Sequence, residues 1–434
     1  MRAARGLSPE TALKIEVEII DISNDGHGIG KSDGVTVFIS GGKEHPVVGD
    51  VVLAEEVKAR KSFLVAELKE IIKPSAFRVA SFCIHAGECG GCALQNMAYE
   101  AQLALKEKQV RDKYTRIAGI ENPDIKRIKG MDNPFRYRNK ARIAVSESGV
   151  GFFSAKSHTV VDCKTCRINS RPVEVVADVL REAEKGLIRG ALVRTAFGTG
   201  QVMVILDSGG EKLPKRGKLI SMLDSAVAEI EGDNYSLESV GKNPILDVMG
   251  ELKFEVSPSS FYQVNHSQAE FLYDKVIQYA ELSGVETVLD VYCGAGAIGL
   301  SCASRAGRVL GIELSESAVI DANRNAVING IVNAEFIRGK AETELFGLVK
   351  AGFSANVVIL DPPRAGCKKE TLEAAAKTGA SRIIYISCDA ATQSRDIKIL
   401  RGLGYEFIEA TPIDMFPWSL HVESCCLLMN QALQ

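Results

Sequence analysis

The chain has 434 residues, more than one hydrophobic core normally holds, so its length favours two or three domains over a single small module. Hydrophobic residues make up 46% of it and charged residues 25%, a globular composition that excludes a disordered, collagen-like or coiled-coil chain. Lys and Arg number 52 and Asp and Glu 55, a net charge of -3 that excludes a global basic field for nucleic acid; any such surface must be local.

Two further features bear on the compartment. No apolar run reaches the length of a membrane span, and the first five residues lead into no apolar signal segment. We therefore expect a cytoplasmic protein that does not contact a membrane. Eleven cysteines are many for a compartment that disfavours disulfides, so we expect some of them to be metal ligands or nucleophiles.

The first predicted domain covers residues 8–72. Short β-rich runs follow one another from Ile15 to Ile72 and are separated by glycines. Several short strands with glycine turns predict a small β-barrel of the OB kind. Pro74 ends this unit.

A compact group of cysteines follows, with Cys83, Cys89 and Cys92 in the spacing CxxxxxCGGC. Cys163 and Cys166 come some 70 residues later. Four thiolates can hold zinc or an iron–sulfur cluster. The spacing departs from the paired CxxC of zinc ribbons and so favours iron–sulfur, with either later cysteine as the fourth ligand.

The next segment is locally basic. A helix is predicted over residues 98–117, and residues 103–142 hold twelve Lys and Arg against five Asp and Glu. Within FRYRNKAR, Phe135 and Tyr137 could stack on unpaired bases. A solvated helix face is the alternative, but the interleaved rings make RNA an equally good interpretation.

The rest of the chain divides into two further predicted domains. Strand-like runs mix with one helical segment up to residue 255, which predicts a central α+β domain over 75–255. Over 256–434, β-rich runs alternate with helical ones, which predicts a doubly wound, mostly parallel sheet. Ligands of such sheets bind beyond the carboxyl ends of the strands.

One motif in this last domain is DVYCGAGAIGL, residues 290–300. Its glycines, Gly294 among them, follow a predicted strand and open a helix, and Glu313 ends the next strand, where a carboxylate can bind ribose hydroxyls. This setting suits a dinucleotide or S-adenosylmethionine. The sequence DPPR, residues 361–364, favours the second, because methyltransferases often carry such an element and dehydrogenases have no general need of it.

A second motif, SCDAAT, places Cys388 after a predicted strand and before a predicted helix. That position is expected to lower the thiol pKa, so Cys388 is a candidate nucleophile. Near the C-terminus, His421 and Glu423 each offer a possible base. A buried inert thiol and a solvated loop are the alternatives for these two segments.

Taken together, the motifs resemble those of the S-adenosylmethionine-dependent RNA 5-methyluridine methyltransferases. The likeness is greatest to the branch with an N-terminal TRAM domain and a [4Fe-4S] cluster that modifies 23S ribosomal RNA. It covers nearly the whole chain and rests on motifs in one order: CxxxxxCGGC, YxxQL (99–103), YRNKAR (137–142), FYQVN (261–265), DVYCGAG (290–296), DPPR (361–364), SCD (387–389) and HVE (421–423).

The resemblance implies roles for individual residues. Cys388 would be the nucleophile and Glu423 the proton acceptor. The S-adenosylmethionine site would be lined by Gln263, Tyr292, Glu313 and Asp361, with the Gly294 loop. The cluster would be held by Cys83, Cys89, Cys92 and, by the family pattern, Cys166 rather than Cys163. Arg167 and residues 418–420 depart from that pattern.

The predicted reaction is methyl transfer to carbon 5 of a uridine, most consistent by family analogy with 23S ribosomal RNA. The target base is expected to be flipped out or in a loop. No obligate protein partner is inferred. Three alternatives stay open: the same chemistry on transfer RNA, a noncatalytic iron–sulfur RNA-binding protein, and a nucleotide-dependent oxidoreductase, which would leave DPPR and SCD unexplained.

Overall fold

The computed structural model describes residues 13–42, 44–155, 157–183, 188–210, 216–230, 235–241 and 243–433. The chain forms two compact units. The first comprises Met1–Lys106, Phe152–Cys163 and Trp418–Leu420, and the second comprises Glu107–Gly151, Lys164–Pro417 and His421–Gln434. Within the described ranges, no helix is both long and apolar enough to cross a membrane.

The first unit contains a six-stranded sheet of order β1-β5-β6-β4-β3-β2. Its strands are β1 (Lys14–Glu18), β2 (Asp21–Ile22), β3 (Gly28–Ser32), β4 (Val35–Ser40), β5 (Val51–Ala59) and β6 (Phe63–Lys73). Residues 14–22 form one extended segment. Its first part, β1, pairs with β5, and its second part, β2, pairs with β3. The sheet therefore closes on itself, as the predicted OB-like barrel requires.

One glycine of this barrel is required by close strand approach. A Cβ at Gly30 would collide with the Val17 side chain and the Glu18 carbonyl of the facing strand segment. Only glycine allows the two backbones to come this near.

The middle of the chain mixes helices and strands, as predicted. Its elements are α1 (Tyr99–Arg116), β7 (Lys140–Ser146), β8 (Gly149–Phe153), β9 (Val160–Asp162), α2 (Arg171–Glu182), β10 (Gly190–Thr195), β11 (Gln201–Asp207), α3 (Arg216–Ala228), β12 (Ser236–Val240), β13 (Ile245–Met249) and β14 (Leu252–Val256). In the second unit, strands run in the order β12-β11-β10-β7-β8, and β13 pairs with β14 as a hairpin.

The C-terminal part of the second unit is the predicted doubly wound sheet, of order β17-β16-β15-β18-β19-β21-β20. The elements are α4 (His266–Ala280), β15 (Thr287–Val291), α5 (Ala297–Ala303), β16 (Arg308–Glu313), α6 (Glu316–Ile328), β17 (Ala334–Arg338), α7 (Ala341–Lys350), β18 (Val357–Leu360), α8 (Lys369–Lys377), β19 (Arg382–Ser387), α9 (Ala390–Gly402), β20 (Tyr405–Ile413) and β21 (Glu423–Asn430).

This topology determines where a ligand can bind. Strands β15 to β19 are parallel, while β21 and β20 run antiparallel at one side. The chain winds from β15 toward β17 and then resumes on the other side at β18, so the strand order reverses between β15 and β18. A crevice opens at such a switch point, beyond the carboxyl ends of the strands.

Candidate active site

A cavity of about 1050 Å³ lies in the second unit. Its wall includes residues that follow β15, β16, β18 and β19 and the first residue of β21. All seven residues predicted for catalysis or cofactor binding lie in this wall: Gln263, Tyr292, Gly294, Glu313, Asp361, Cys388 and Glu423. The wall also holds Arg364, which the DPPR motif predicts at the rim of the site beside Asp361, and Phe261 and Phe416, for which the sequence predicted no role.

The glycine-rich loop after β15 turns at residues whose backbone is in the left-handed conformation. Gly294 and Gly296 have φ of 55° and 80°. A Cβ at Gly294 would meet nothing within 4 Å, so this position faces open space. At Gly296 it would come within 2.9 Å of the Phe336 ring. The two glycines therefore differ: Gly294 leaves room in the cavity, whereas Gly296 allows packing.

Glu313 is fixed at the end of β16 by two backbone donors. The Gly294 N–H donates to its Oε2 over 3.1 Å and the Ser315 N–H to its Oε1 over 2.7 Å. A carboxylate oriented in this way can accept further hydrogen bonds from ligand hydroxyls.

The segment that carries Gln263 is held by the YRNKAR motif. The Asn139 N–H donates to the Val264 carbonyl over 2.9 Å, and the Asn139 Nδ2 donates to the Gln263 carbonyl over 2.9 Å. Asn139 is 1% exposed. No local signal in the sequence marks this contact, because its partners are more than 120 residues away.

The same motif corrects a prediction about base stacking. Tyr137 is 5% exposed, and its hydroxyl donates to the Pro417 carbonyl over 3.0 Å. The prediction that Tyr137 stacks on RNA bases is therefore wrong, because its ring is part of the core. The Arg167 guanidinium carbon lies 4.3 Å from the centre of the Phe135 ring. Arg167, which departs from the family pattern, therefore makes a cation–π contact with Phe135.

Cys388 lies between β19 and α9, as predicted, but its acidity is not the predicted one. Burial, and then the charge of Glu423, raises the pKa of the thiol to about 11, while Arg364 opposes the rise. The start of α9 does not offset this, because the Asp389 carboxylate accepts from the Ala391 and Thr392 N–H groups. The helix terminus is thus already capped.

Three carboxyl groups at this end of the sheet have raised pKa values: Glu423 and Asp290 are buried, and Asp361 is half-buried. Burial, and then the charge of Asp361, raises the pKa of Glu423, which Arg364 partly opposes. Burial and then Asp290 raise the pKa of Asp361 to about 7. Burial likewise raises the pKa of Asp290 to about 7, although its Oδ2 accepts from the Gly299 N–H. These groups hold protons readily near neutral pH.

Arg364 links the two candidate catalytic groups electrostatically, since it favours the charged forms of both Cys388 and Glu423. Its Nη2 lies 3.2 Å from His421 Nε2. His421, the alternative base, is absent from the residues that line the cavity, whereas Glu423 is among them. Of the two candidate bases, Glu423 is therefore the one that lines the cavity.

The cysteines predicted as cluster ligands fall in both units. Cys83, Cys89 and Cys92 are half-buried in the first unit, and Cys166 is half-buried in the second. The Cys166 Sγ accepts from Asn169 Nδ2 over 3.2 Å. Among the described residues, no group of three or more His, Cys, Asp or Glu is arranged to hold a metal ion.

Comparison with known proteins decides the family. A model of the TRAM domain matches residues 14–69, and a model of tRNA (uracil-5-)-methyltransferases matches residues 242–431. An uncharacterized RNA methyltransferase of Caldanaerobacter subterraneus is 40% identical over 96% of this chain and 98% of that protein. The chain belongs to the TRAM-containing RNA uracil-5-methyltransferase family. An uncharacterized RNA methyltransferase of Clostridium tetani is 37% identical to this chain, and the match covers 94% of this chain and 95% of that protein.

A solved structure is similar over nearly the whole fold. It is the Pyrococcus abyssi tRNA (uracil-54, C5)-methyltransferase in complex with S-adenosyl-L-homocysteine, with a TM-score of 0.73 and 27% identity. The match covers 95% of this chain and 100% of the other. The predicted combination of a TRAM domain and a C-terminal methyltransferase domain is thereby confirmed.

Proposed function

We propose that this family member transfers a methyl group from S-adenosylmethionine to carbon 5 of a specific uridine in RNA. The observation that carries the proposal is the shared cavity, in which a cysteine, a buried glutamate and the glycine-loop residues meet at the switch point of a doubly wound sheet. The family and the S-adenosyl-L-homocysteine in the Pyrococcus abyssi structure support it.

The cavity suits the cosubstrate. The Glu313 carboxylate is oriented to accept ribose hydroxyls, and the open side of Gly294 leaves room for a ligand next to the backbone. Gln263, Tyr292 and Asp361 complete this part of the wall. S-adenosylmethionine supplies the methyl group, and the residues of the chain bind and orient it.

Cys388 and Glu423 divide a difficult reaction into easier steps. The Cys388 thiolate adds through Sγ to carbon 6 of the uridine, and the ring becomes an enolate whose carbon 5 attacks the methyl group as S-adenosylhomocysteine leaves. The Glu423 carboxylate then accepts the proton from carbon 5. The carbon 5–carbon 6 double bond forms again, the bond to Sγ breaks, and Cys388 returns to the thiolate.

Beside Cys388 and Glu423, Arg364 is a third residue with a role in the reaction, and the raised pKa values indicate what it does. Both Cys388 and Glu423 act in their charged forms, which burial disfavours. The Arg364 guanidinium stabilises both charges. We infer that it is a positioning residue that makes the thiolate and the carboxylate accessible near neutral pH.

Covalent trapping tests the proposal. RNA that carries 5-fluorouridine has no proton to release at carbon 5, so wild-type protein with S-adenosylmethionine should form an adduct that survives denaturing electrophoresis. Cys388→Ala should form none. An adduct that persists in Cys388→Ala would refute the nucleophile assignment, and a wild type that forms none on any RNA would refute the proposed reaction.

For the substrate, we propose 23S ribosomal RNA, on the resemblance of the whole set of motifs to that branch. Transfer RNA is the second candidate, because the similar solved structure is a tRNA methyltransferase. Mapping of 5-methyluridine in ribosomal and transfer RNA from cells with and without this protein separates the two. A missing methyl group in transfer RNA alone would overturn the first candidate.

We also retain the [4Fe-4S] cluster on Cys83, Cys89, Cys92 and Cys166 as a proposal apart from the reaction. The four thiols are free of disulfides and partly exposed, and they are suitable donors. Because the described residues show no preassembled centre, no step above depends on it. Anaerobically purified protein should contain about four irons per chain, and Cys166→Ser should lower this number. Zinc instead of iron would refute the cluster.

A further inference from the structure

Two cations face each other in the sheet of the central region. Lys140 is paired with Arg194 across the antiparallel strands β7 and β10. Side chains at directly opposite positions share one face of a sheet and lie about 5 Å apart at Cβ, and like charges there are destabilising. Arg138, two residues before Lys140, adds a third positive charge, and its Nε donates to the Lys140 carbonyl.

Among the described residues, Arg138, Lys140 and Arg194 form no ion pair within 4 Å. Lys140 is half-buried and forms no ion pair there, and burial together with Arg194 and Arg138 lowers its pKa to about 8. Arg194 is 2% exposed, and its Nε and Nη1 have no hydrogen-bond partner in the described part of the chain. The Asp321 carboxylate favours the charged form of Arg194, but the hydrogen bonds it accepts come from Ser257 and Ser260.

A buried cation without an ion-pair partner is costly, so its retention needs a reason. The fold offers one, because the cations are bonded to the segment that lines the cavity. Arg194 Nη2 donates to the Ser260 carbonyl over 2.8 Å, next to Phe261. Asn139, next to Lys140, donates to the Gln263 carbonyl. A negative group bound at these cations would therefore lie beside the candidate active site.

We propose that Arg138, Lys140 and Arg194 form a binding site for a phosphate group of the RNA backbone near the target nucleotide. Arg138 and Lys140 are both half-buried and reach solvent, so they make the contact, while the buried Arg194 supplies fixed positive charge behind them. This inference rests on the proposed function. It makes a phosphate, rather than a base, the ligand of the YRNKAR motif.

Binding of a single-stranded oligouridine, measured by fluorescence anisotropy over a range of salt concentrations, tests the site. Lys140→Met should weaken binding about tenfold and reduce the slope of log K against log salt by about 0.7, the value for one phosphate contact on a single strand. Lys140→Arg keeps the charge and should bind like the wild type. Lys377→Met, which removes an exposed lysine from α8, should also bind like the wild type.

A thermal unfolding measurement separates this role from a structural one. If Lys140 is retained for binding, Lys140→Met should leave the melting temperature of the free protein unchanged or raise it, since it removes a repulsive charge. A lower melting temperature together with unchanged oligouridine affinity would overturn the proposal. A second outcome would also overturn the proposal: Lys140→Met binds oligouridine as tightly as the wild type, but inorganic phosphate raises the melting temperature of the wild type only. That outcome would assign the site to a free anion.

The fluorouridine adduct, measured in the same preparations, keeps the two proposals apart. Loss of oligouridine affinity in Lys140→Met supports the phosphate site whether or not wild type forms the adduct. Adduct formation by the wild type with no effect of Lys140→Met on affinity refutes the phosphate site alone.

Discussion

At the scale of single residues, the charge state of Cys388 controls the proposed reaction. Burial and the charge of Glu423 raise the pKa of this thiol to about 11 even though Arg364 opposes the rise. Arg364→Met should raise this pKa further, so a smaller fraction of the thiol is ionised at any given pH. A rise of one unit lowers that fraction, and the rate of adduct formation, about tenfold near neutral pH.

The pH dependence of adduct formation with 5-fluorouridine RNA is the measurement. In Arg364→Met, the half-maximal rate should shift to higher pH. Arg338→Met, which removes an exposed arginine that pairs with Glu316, is the matched control and should leave the profile in place. An unshifted profile in Arg364→Met would show that Arg364 does not assist the thiolate.

Glu423 is predicted to act only after methyl transfer. Glu423→Gln should therefore still form the covalent bond and methylate, but release of the product should be about 10²- to 10⁴-fold slower, the usual contribution of a general base. With ordinary uridine RNA, the variant should accumulate an adduct that the wild type does not. Rapid turnover by Glu423→Gln would instead indicate His421 or another base.

The raised pKa values of two aspartates predict a pH dependence of stability. The pKa values of Asp290 and Asp361 are about 7 in the folded chain, against about 3.9 in an unfolded one. Between these values the folded state binds more protons than the unfolded state, so these groups make the free energy of unfolding fall as pH rises from about 4 to about 7.

Urea unfolding at steps across this range measures the effect. Asp290→Asn should flatten the dependence, because its side chain no longer titrates. Glu335→Gln, an exposed carboxylate paired with Arg308, should leave the slope unchanged. Equal slopes in all three proteins would contradict the raised pKa of Asp290.

At the scale of elements, the loop between β15 and α5 provides a matched pair of substitutions. Gly294→Ala adds a methyl group toward open cavity space and strains φ, so it should weaken S-adenosylmethionine binding at a cost to stability of about 1–2 kcal/mol. Gly296→Ala also forces Phe336 and Ala322 aside, so it should destabilise the fold more. Calorimetric binding and thermal unfolding of both variants test the difference.

Strands and helices were the more predictable elements. The helix predicted over 98–117 is α1, and the alternation of runs after residue 256 gave the parallel sheet, because both rest on local periodicity. The YRNKAR segment shows the limit. Its aromatic residues indicate base stacking when read alone, but Tyr137 is buried against Pro417 and Asn139 holds the Gln263 segment.

At the scale of the whole molecule, fewer basic residues are available to bind phosphates than the sequence suggests. Of the basic residues between 103 and 142, Lys106 is 0% exposed, and several others pair with carboxylates, among them Lys108, Arg111 and Lys126. If all seven surplus charges of this segment met phosphates of a single strand, log K would fall against log salt with a slope of about -5.

We expect this segment to contribute a shallower slope, because paired and buried cations release no counterions. The measurement compares the wild type with a variant that replaces Lys108, Arg111 and Lys126 by Gln. Oligouridine binding over a salt series should show little change in slope between them. A slope that falls by two or more units in the variant would show that these cations bind RNA despite their ion pairs.

The sequence by itself determined the family, the order of the elements and the residues that meet at the switch point, because strand ends and short motifs are local properties of the chain. Only the tertiary structure decided the direction in which the pKa values of Cys388 and Glu423 shift, the opposing effect of Arg364 on both, and the burial of Tyr137. The physical reason is that a pKa and a hydrogen-bond partner depend on which distant groups exclude water from a side chain. No spacing along the chain encodes that environment.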